Sequence, residues 1–154
     1  MNSQTPKKKS WLKRFLIGAI ILLLAGGAIY WYVATEKFAD TADRKAAYTV
    51  NALDFIREFQ QNDSAANEKY ADRIVTVSGI VSEVEAADTT INIKFIEPVS
   101  GSYAIFAFQE QHLNEARAIK AGDHIAIKGS CSGGIYSEIL GTQSITFKRC
   151  ALTK

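Results

Sequence analysis

The stretch from Phe15 to Thr35, FLIGAIILLLAGGAIYWYVAT, carries no charge over 21 residues, and no other feature constrains the chain as strongly. As a helix rising about 1.5 Å per residue it is about 32 Å long, matching the roughly 30 Å hydrocarbon layer of a bilayer. Five basic residues and no acidic ones precede it (Lys7, Lys8, Lys9, Lys13, Arg14), and Glu36 and Lys37 follow. That asymmetry predicts a single pass of the cytoplasmic (inner) membrane, with the N-terminus inside and the remainder periplasmic or extracellular. Trp11 at one end and Tyr30, Trp31 and Tyr32 at the other stand where amphipathic rings meet the two headgroup layers. A cleaved signal peptide is the rival reading, with Leu16 to Leu24 as its apolar centre and Ala25 to Ala28 as its cleavage site. The apolar run continues through Ile29 to Val33, which favours an uncleaved signal anchor. A lipidated N-terminal cysteine is excluded, since the first cysteine is Cys131.

About 115 residues remain beyond the anchor, enough for one domain with one modest core. The expected division is a basic stub (1–14), a transmembrane anchor (15–35), a linker and helical segment (36–70) and a β-rich domain (71–154). Beyond the anchor, 13 basic residues face 16 acidic ones, a net charge of −3. The sequence pI near 8.5 therefore reflects the stub, which suits anionic lipid, and a polyanionic partner for the domain is disfavoured. Cys131 and Cys150 both lie in the exported part, where an even count predicts a disulfide; two separately buried thiols are the alternative. With only His112 and His124 besides, no cluster of metal-ligand spacing exists, and no cofactor is expected.

Along the domain, Tyr48, Ala52, Phe55, Ile56 and Phe59 recur at helical spacing from Thr41 to near Gln61. Asn62, Asp63 and Ser64 break that helix and start a second one through Tyr70. From Arg73 to Val84 the chain turns β-branched, and Gly79 within it predicts a bend that lets one strand serve two sheets. Ile91, Ile93 and Phe95 alternate with Asn92 and Lys94 as a half-buried strand, and Tyr103 to Phe108 is a third. Gln111 to Ile119 has helical rhythm. A fourth strand follows over Ile125 to Gly129, then a Gly/Ser loop over Ser132 to Thr142 with a short strand at Ile135 to Leu140, and a last strand through Ile145 and Phe147.

Three strands, a short helix and two strands is the order of the oligonucleotide/oligosaccharide-binding (OB) barrel, so the predicted fold is β-rich: a five-stranded OB barrel preceded by two helices and a transmembrane helix. The segments ANEKYADRIVTVSGIVSEV (Ala66 to Val84), AGDHIAIKGSCSG (Ala121 to Gly133) and ITFKRCAL (Ile145 to Leu152) carry a further signal. Their marks are Asn67 to Tyr70, Gly79, Gly122, the run from Gly129 to Gly133, and Cys150. Together they resemble the tRNA-anticodon-like OB-fold family of exported bacterial proteins, from about Thr41 onward. Many members of that family look like lipoproteins, and this chain carries an apolar helix where they carry a lipidated cysteine. The resemblance implies the OB fold and names no ligand.

OB domains usually bind through the face of strands two and three and the neighbouring loops, which here selects Asn92, Lys94, Tyr103, Phe106 and Tyr136 as candidate ligand-binding residues. Such aromatics also build cores, and single-strand binding needs phosphate neutralisation that a net-negative domain lacks. His112 and His124 read as ordinary exposed residues. The run from Gly129 to Gly134 lacks the spacing of a phosphate loop and a partner base, and Glu83 and Glu85 read as solvated charge, so no enzyme is expected. The sequence thus points to a membrane-anchored, envelope-facing OB module that binds or assembles with an envelope protein or a small extended ligand. Single-stranded nucleic-acid or oligosaccharide binding is the first alternative, and a structural stub without ligand the second.

Overall fold

The computed structural model describes residues 8–35 and 40–153. Lys7 of the basic cluster and Glu36 and Lys37 of the linker lie outside the described residues, as do the side chains of Lys8, Lys9 and Trp11. Met1–Phe38 and Ala39–Lys154 are separate compact units. In the first, Lys8–Thr35 forms helix α1. Its stretch Lys13–Tyr32 is long and apolar enough to cross a membrane, and none of its side chains is buried.

The second unit is β-rich. After a 3-10 turn at Thr41–Asp43 come β1 (Tyr48–Asn51), α2 (Ala52–Gln61), α3 (Asp63–Tyr70), β2 (Ile74–Ile80), β3 (Glu83–Ala86), β4 (Ile91–Ile96), β5 (Tyr103–Phe108), α4 (Leu113–Ala116), β6 (His124–Ser137) and β7 (Thr142–Leu152). One sheet takes all seven strands in the order β1-β2-β6-β7-β5-β4-β3, with β1–β2 and β5–β7 parallel and the rest antiparallel.

Seven strands in an open ladder replace the expected five in a barrel, and two local causes account for the excess. Tyr48 to Asn51 was expected as helix; its residues pair instead with Val75 to Ser78, and Asn51 starts α2 by accepting a hydrogen bond from Leu53 N. Tyr48 still meets the helical layer, edge-on to Tyr70 at 5.1 Å. The long strand from Arg73 to Val84 is split in two at Val81 and Ser82. There the backbone changes neighbours: Val81 N donates to Asp123 O at the start of β6, while Ser82 N donates to Lys94 O in β4. Gly79, expected to make the bend, serves a close approach: a Cβ there would stand 2.7 Å from that of Ala52, so α2 rests on the strand at that point.

Asn62 closes α2 by donating its N–H to Glu58 O and opens α3 by accepting from Ala65 N. The two helices cover the inner face of the sheet with Phe55, Ile56, Phe59 and Tyr70, all buried. The expected Ser132 to Thr142 loop is a hairpin, because β6 continues through Gly133 and Gly134 to Ser137. Gly133 has φ +100°, and the register shifts there. Asn67 on α3 spans this irregularity, its Nδ2 donating to Gly134 O at 3.0 Å and its Oδ1 accepting from Gly134 N at 2.8 Å. A second register shift, at Arg149 with φ +52°, turns Cys150 inward out of phase with Ile145 and Phe147. The expected bridge is not made in the structure: Cys131 and Cys150 are free, buried thiols. Cys131 pairs with Phe147, while Cys150 fills the space above Gly129, where a Cβ would stand 2.6 Å from its sulfur. Burial pushes the Cys131 thiol up to about 11 and raises Cys150 as well.

Two substitutions probe the joint between α3 and the hairpin. Asn67→Ala leaves both polar groups of Gly134 without their partner and is expected to cost about 1–3 kcal/mol. In Gly134→Ala the new methyl would stand 2.6 Å from the Phe59 ring, with a comparable cost expected from overpacking. Urea midpoints should fall for both, and stay within about 0.5 kcal/mol equivalents of the parent for Glu68→Ala on the exposed side of α3.

Candidate functional site

Strand parity decides which candidate residues can meet a ligand. In β4, Ile91, Ile93 and Phe95 are buried, while Asn92, Lys94 and Ile96 face outward. In β5, Ala104, Phe106 and Phe108 are buried and Tyr103, Ile105 and Ala107 face outward. The register sets Asn92 opposite Ala107, Lys94 opposite Ile105 and Ile96 opposite Tyr103. On the other side of β5, Ser144 and Thr146 of β7 stand opposite Tyr103 and Ile105. Asn92, Lys94 and Tyr103 thus share one outer face. Phe106 does not: it is wholly buried and stacks on Phe147 with ring centres 4.5 Å apart, so it belongs to the core.

Lys94 sits near the middle of this face and is already paired. Its Nζ lies 2.5 Å from Glu85 and 3.5 Å from Glu83, both on β3, and 5.4 Å from the centre of the Tyr103 ring. The hydrogen bond to Glu85 raises the Lys94 ammonium above its ordinary value, and the same bond lowers the Glu85 carboxyl. Glu83 and Glu85, expected as solvated charge, act as a clamp that cancels the cation. What the face offers is the Asn92 amide, the Tyr103 ring, Ile105 and the hydroxyls of Ser144 and Thr146.

Tyr136 lies elsewhere. It lines a groove of about 530 Å³ with Arg57 and Gln60 of α2, with Glu97, Val99, Ser100 and Ser102 of the β4–β5 connection, and with Gly141. Glu97 builds that connection: its buried carboxylate accepts from Val99 N at 3.2 Å, Ser100 N at 2.9 Å and Ser100 Oγ at 2.8 Å. These bonds, led by the Ser100 N–H, hold its carboxyl below the ordinary range. Gln60 Nε2 ties the loop to α2 by donating to Ser100 Oγ. Sequence reasoning missed this groove; its one local signal is an acid three residues before Ser-Gly.

His112 is half-buried, not exposed as expected. Its Nε2 meets Asp40 at 2.8 and 3.0 Å, and its Nδ1 lies 3.6 Å from Glu115. The bond to His112 is the main cause of a lowered Asp40 carboxyl. His124 is exposed. Among the described residues, no group of three or more His, Cys, Asp or Glu side chains could hold a metal ion.

The Lys94 clamp yields a test. In Lys94→Met the Glu85 carboxyl should return upward toward the ordinary glutamate value, as read by carboxyl-carbon NMR through a pH titration. Because the folded-state value of Glu85 is depressed, the pair stabilises the fold above the unfolded-state value, and that contribution is lost as pH falls through the folded one. Exposure of the glutamates keeps the stability difference at pH 7 to about 1 kcal/mol or less, and below pH 3 it should vanish.

Comparison with known proteins follows the same lines. The tRNA_anti-like family model matches residues 2–145. A solved lipoprotein from Klebsiella pneumoniae subsp. pneumoniae MGH 78578, for which nucleic acid binding has been suggested, is similar in fold, with a TM-score of 0.53. Its sequence is 14% identical, over 68% of this chain and 91% of that one. No curated protein matches the chain. The chain belongs to the tRNA_anti-like family.

Proposed function

We propose that this family member is a membrane-anchored, envelope-facing OB-type binding module, and that another envelope protein or a small extended ligand docks on the outer face of β4 and β5. The observation that carries the reading is the pairing of Lys94 with Glu83 and Glu85. With one cation set against two half-exposed carboxylates, the face keeps a net negative charge beside its apolar and hydrogen-bonding groups, which suits a polypeptide or an uncharged extended ligand better than a phosphate backbone. Five basic residues ahead of the uncharged run that begins at Phe15 support an orientation with the N-terminus inside and the domain outside the cytoplasmic membrane. In this reading 15–35 is the anchor, 36–70 the linker and helices, and 71–154 the OB part.

Single-strand binding is the second reading. Tyr103 offers an exposed ring for stacking, and nucleic acid binding has been suggested for the Klebsiella lipoprotein. The acidic balance of the domain weighs against it.

A photoreactive amino acid at Ile105 in the full-length chain, irradiated in native membranes, should give a discrete protein adduct that falls severalfold when Tyr103→Ala is added. Micromolar binding of single strands that weakens steeply with salt, with no protein adduct, would replace this reading by the second. Topology is checked separately with a periplasm-dependent reporter fused after Lys154. Its activity should appear in the membrane fraction; activity in the soluble fraction would mean cleavage near Ala28.

A further inference from the structure

The groove of about 530 Å³ beside Tyr136 opens between α2, the β4–β5 connection and the β6–β7 hairpin. It lies on the side of the sheet that carries the core. Ser102 shares the phase of the buried Ala104 and Phe106, and Tyr136 stands directly opposite the buried Gln143, so the two side chains of that pair point the same way. One polar group on this side is unanswered. Gln143 is 1% exposed and its N–H donates to Ser102 Oγ at 3.0 Å, but its Nε2 has no hydrogen-bond partner among the described residues. A buried amide donor left without a partner is costly and uncommon, and both of its neighbours, Ser102 and Tyr136, line the groove. The charges at the groove are already balanced. Arg57 lies 3.7 Å from Asp54, and the buried Glu97 carboxylate is taken up by Val99 N, Ser100 N and Ser100 Oγ. What remains is a mixed wall: donors from Arg57, the Ser102 hydroxyl and the Gln143 amide, acceptors from the Gln60 carbonyl and the Tyr136 hydroxyl, and a Tyr136 side chain that is 52% exposed.

We propose that this groove is a binding site for an uncharged sugar, whose ring lies with its C–H face against Tyr136 and turns its hydroxyls toward Arg57, Gln60, Ser102 and the Gln143 amide. The site is separate from the outer face of β4 and β5 and stands whatever docks there. A hydroxyl both donates and accepts, so neighbouring hydroxyls on one ring match a wall that mixes the two roles. The groove falls within the roughly 300–1,000 Å³ of small-ligand sites, which combine an apolar platform with a few placed polar groups. The other ligand classes fit less well. A nucleotide would bring phosphate to a wall whose one cation already has a carboxylate beside it. An added peptide strand would need an unpaired strand edge, and Tyr136 and Gln143 belong to strands that are paired with each other.

The test titrates the full-length chain, held in phosphatidylcholine nanodiscs, with maltotriose, cellotriose and triacetylchitotriose. Binding is read by calorimetry and by side-chain amide NMR of glutamine-labelled protein. At least one of these neutral sugars should bind with a Kd in the millimolar range or tighter and shift the Gln143 and Gln60 amide signals, without dependence on salt. Tyr136→Ala should weaken that binding roughly tenfold. Tyr136→Phe, which keeps the ring, should weaken it less than threefold, and Glu68→Ala should leave it unchanged. Arg57→Ala, at an exposed helix position, should weaken it severalfold at the parent's urea midpoint, so the test holds even where Tyr136→Ala lowers stability. Absence of binding by all three sugars would overturn the proposal, as would binding that both Tyr136→Ala and Arg57→Ala leave intact. Tighter binding of trigalacturonate than of the neutral sugars, weakening with salt, would overturn it in favour of an anion site.

Discussion

A continuous line of aromatic rings organises the second unit. Tyr70 of α3 meets Phe55 of α2 at 4.9 Å, Phe55 meets Phe147 of β7 at 5.6 Å, Phe147 stacks on Phe106 of β5 at 4.5 Å, and Phe106 meets Phe95 of β4 at 5.2 Å. Each contact contributes about 0.5–1.5 kcal/mol beyond the burial of its area, and the line crosses from the helices through the sheet. Its consequence reaches the surface. With Phe95 and Phe106 committed inward, period-two alternation leaves Asn92, Lys94, Tyr103 and Ile105 no direction but outward. The candidate binding face is the reverse side of the aromatic core, and its register cannot slip by one residue without exposing two buried phenylalanines.

Features governed by local periodicity were legible in the sequence. The alternation over Ile91 to Phe95 gives the strand and both of its faces, and Asn62 marks the break between the helices. Cys150 is out of phase with Ile145 and Phe147 in the sequence, which requires a bulge for an inward sulfur, and Arg149 supplies it. Other features depend on partners far along the chain. Tyr48 continues the helical spacing of Ala52 and Phe55, yet its backbone pairs with Val75, and a pairing 27 residues distant leaves no mark in a local pattern. Gly133 and Gly134 read as loop by composition because the group that stabilises their irregular backbone, Asn67, is 67 residues from Gly134. His112 reads as exposed for the same reason: its partner Asp40 is 72 residues away. In the candidate face, both Tyr103 and Phe106 were selected by type, and only their opposite parity separates the surface residue from the core residue.

The marks that carry the family resemblance have packing reasons in this fold. Gly79 lets Ala52 approach, Gly129 makes room for the Cys150 sulfur, and Gly133 adopts the positive φ that the Asn67 contact spans. Each answers a steric demand from inside the domain, and none faces Asn92, Lys94 or Tyr103. A chain can therefore satisfy every one of these demands and still present any chemistry on its outer face. Membership of the family fixes the scaffold, while the choice of ligand rests on side chains that the scaffold leaves unconstrained. In this chain those side chains include two glutamates placed to cancel the one lysine between them. Paired carboxylates on a neighbouring strand are an arrangement that a phosphate-binding surface would have reason to avoid, and that a surface meeting a polypeptide can accommodate.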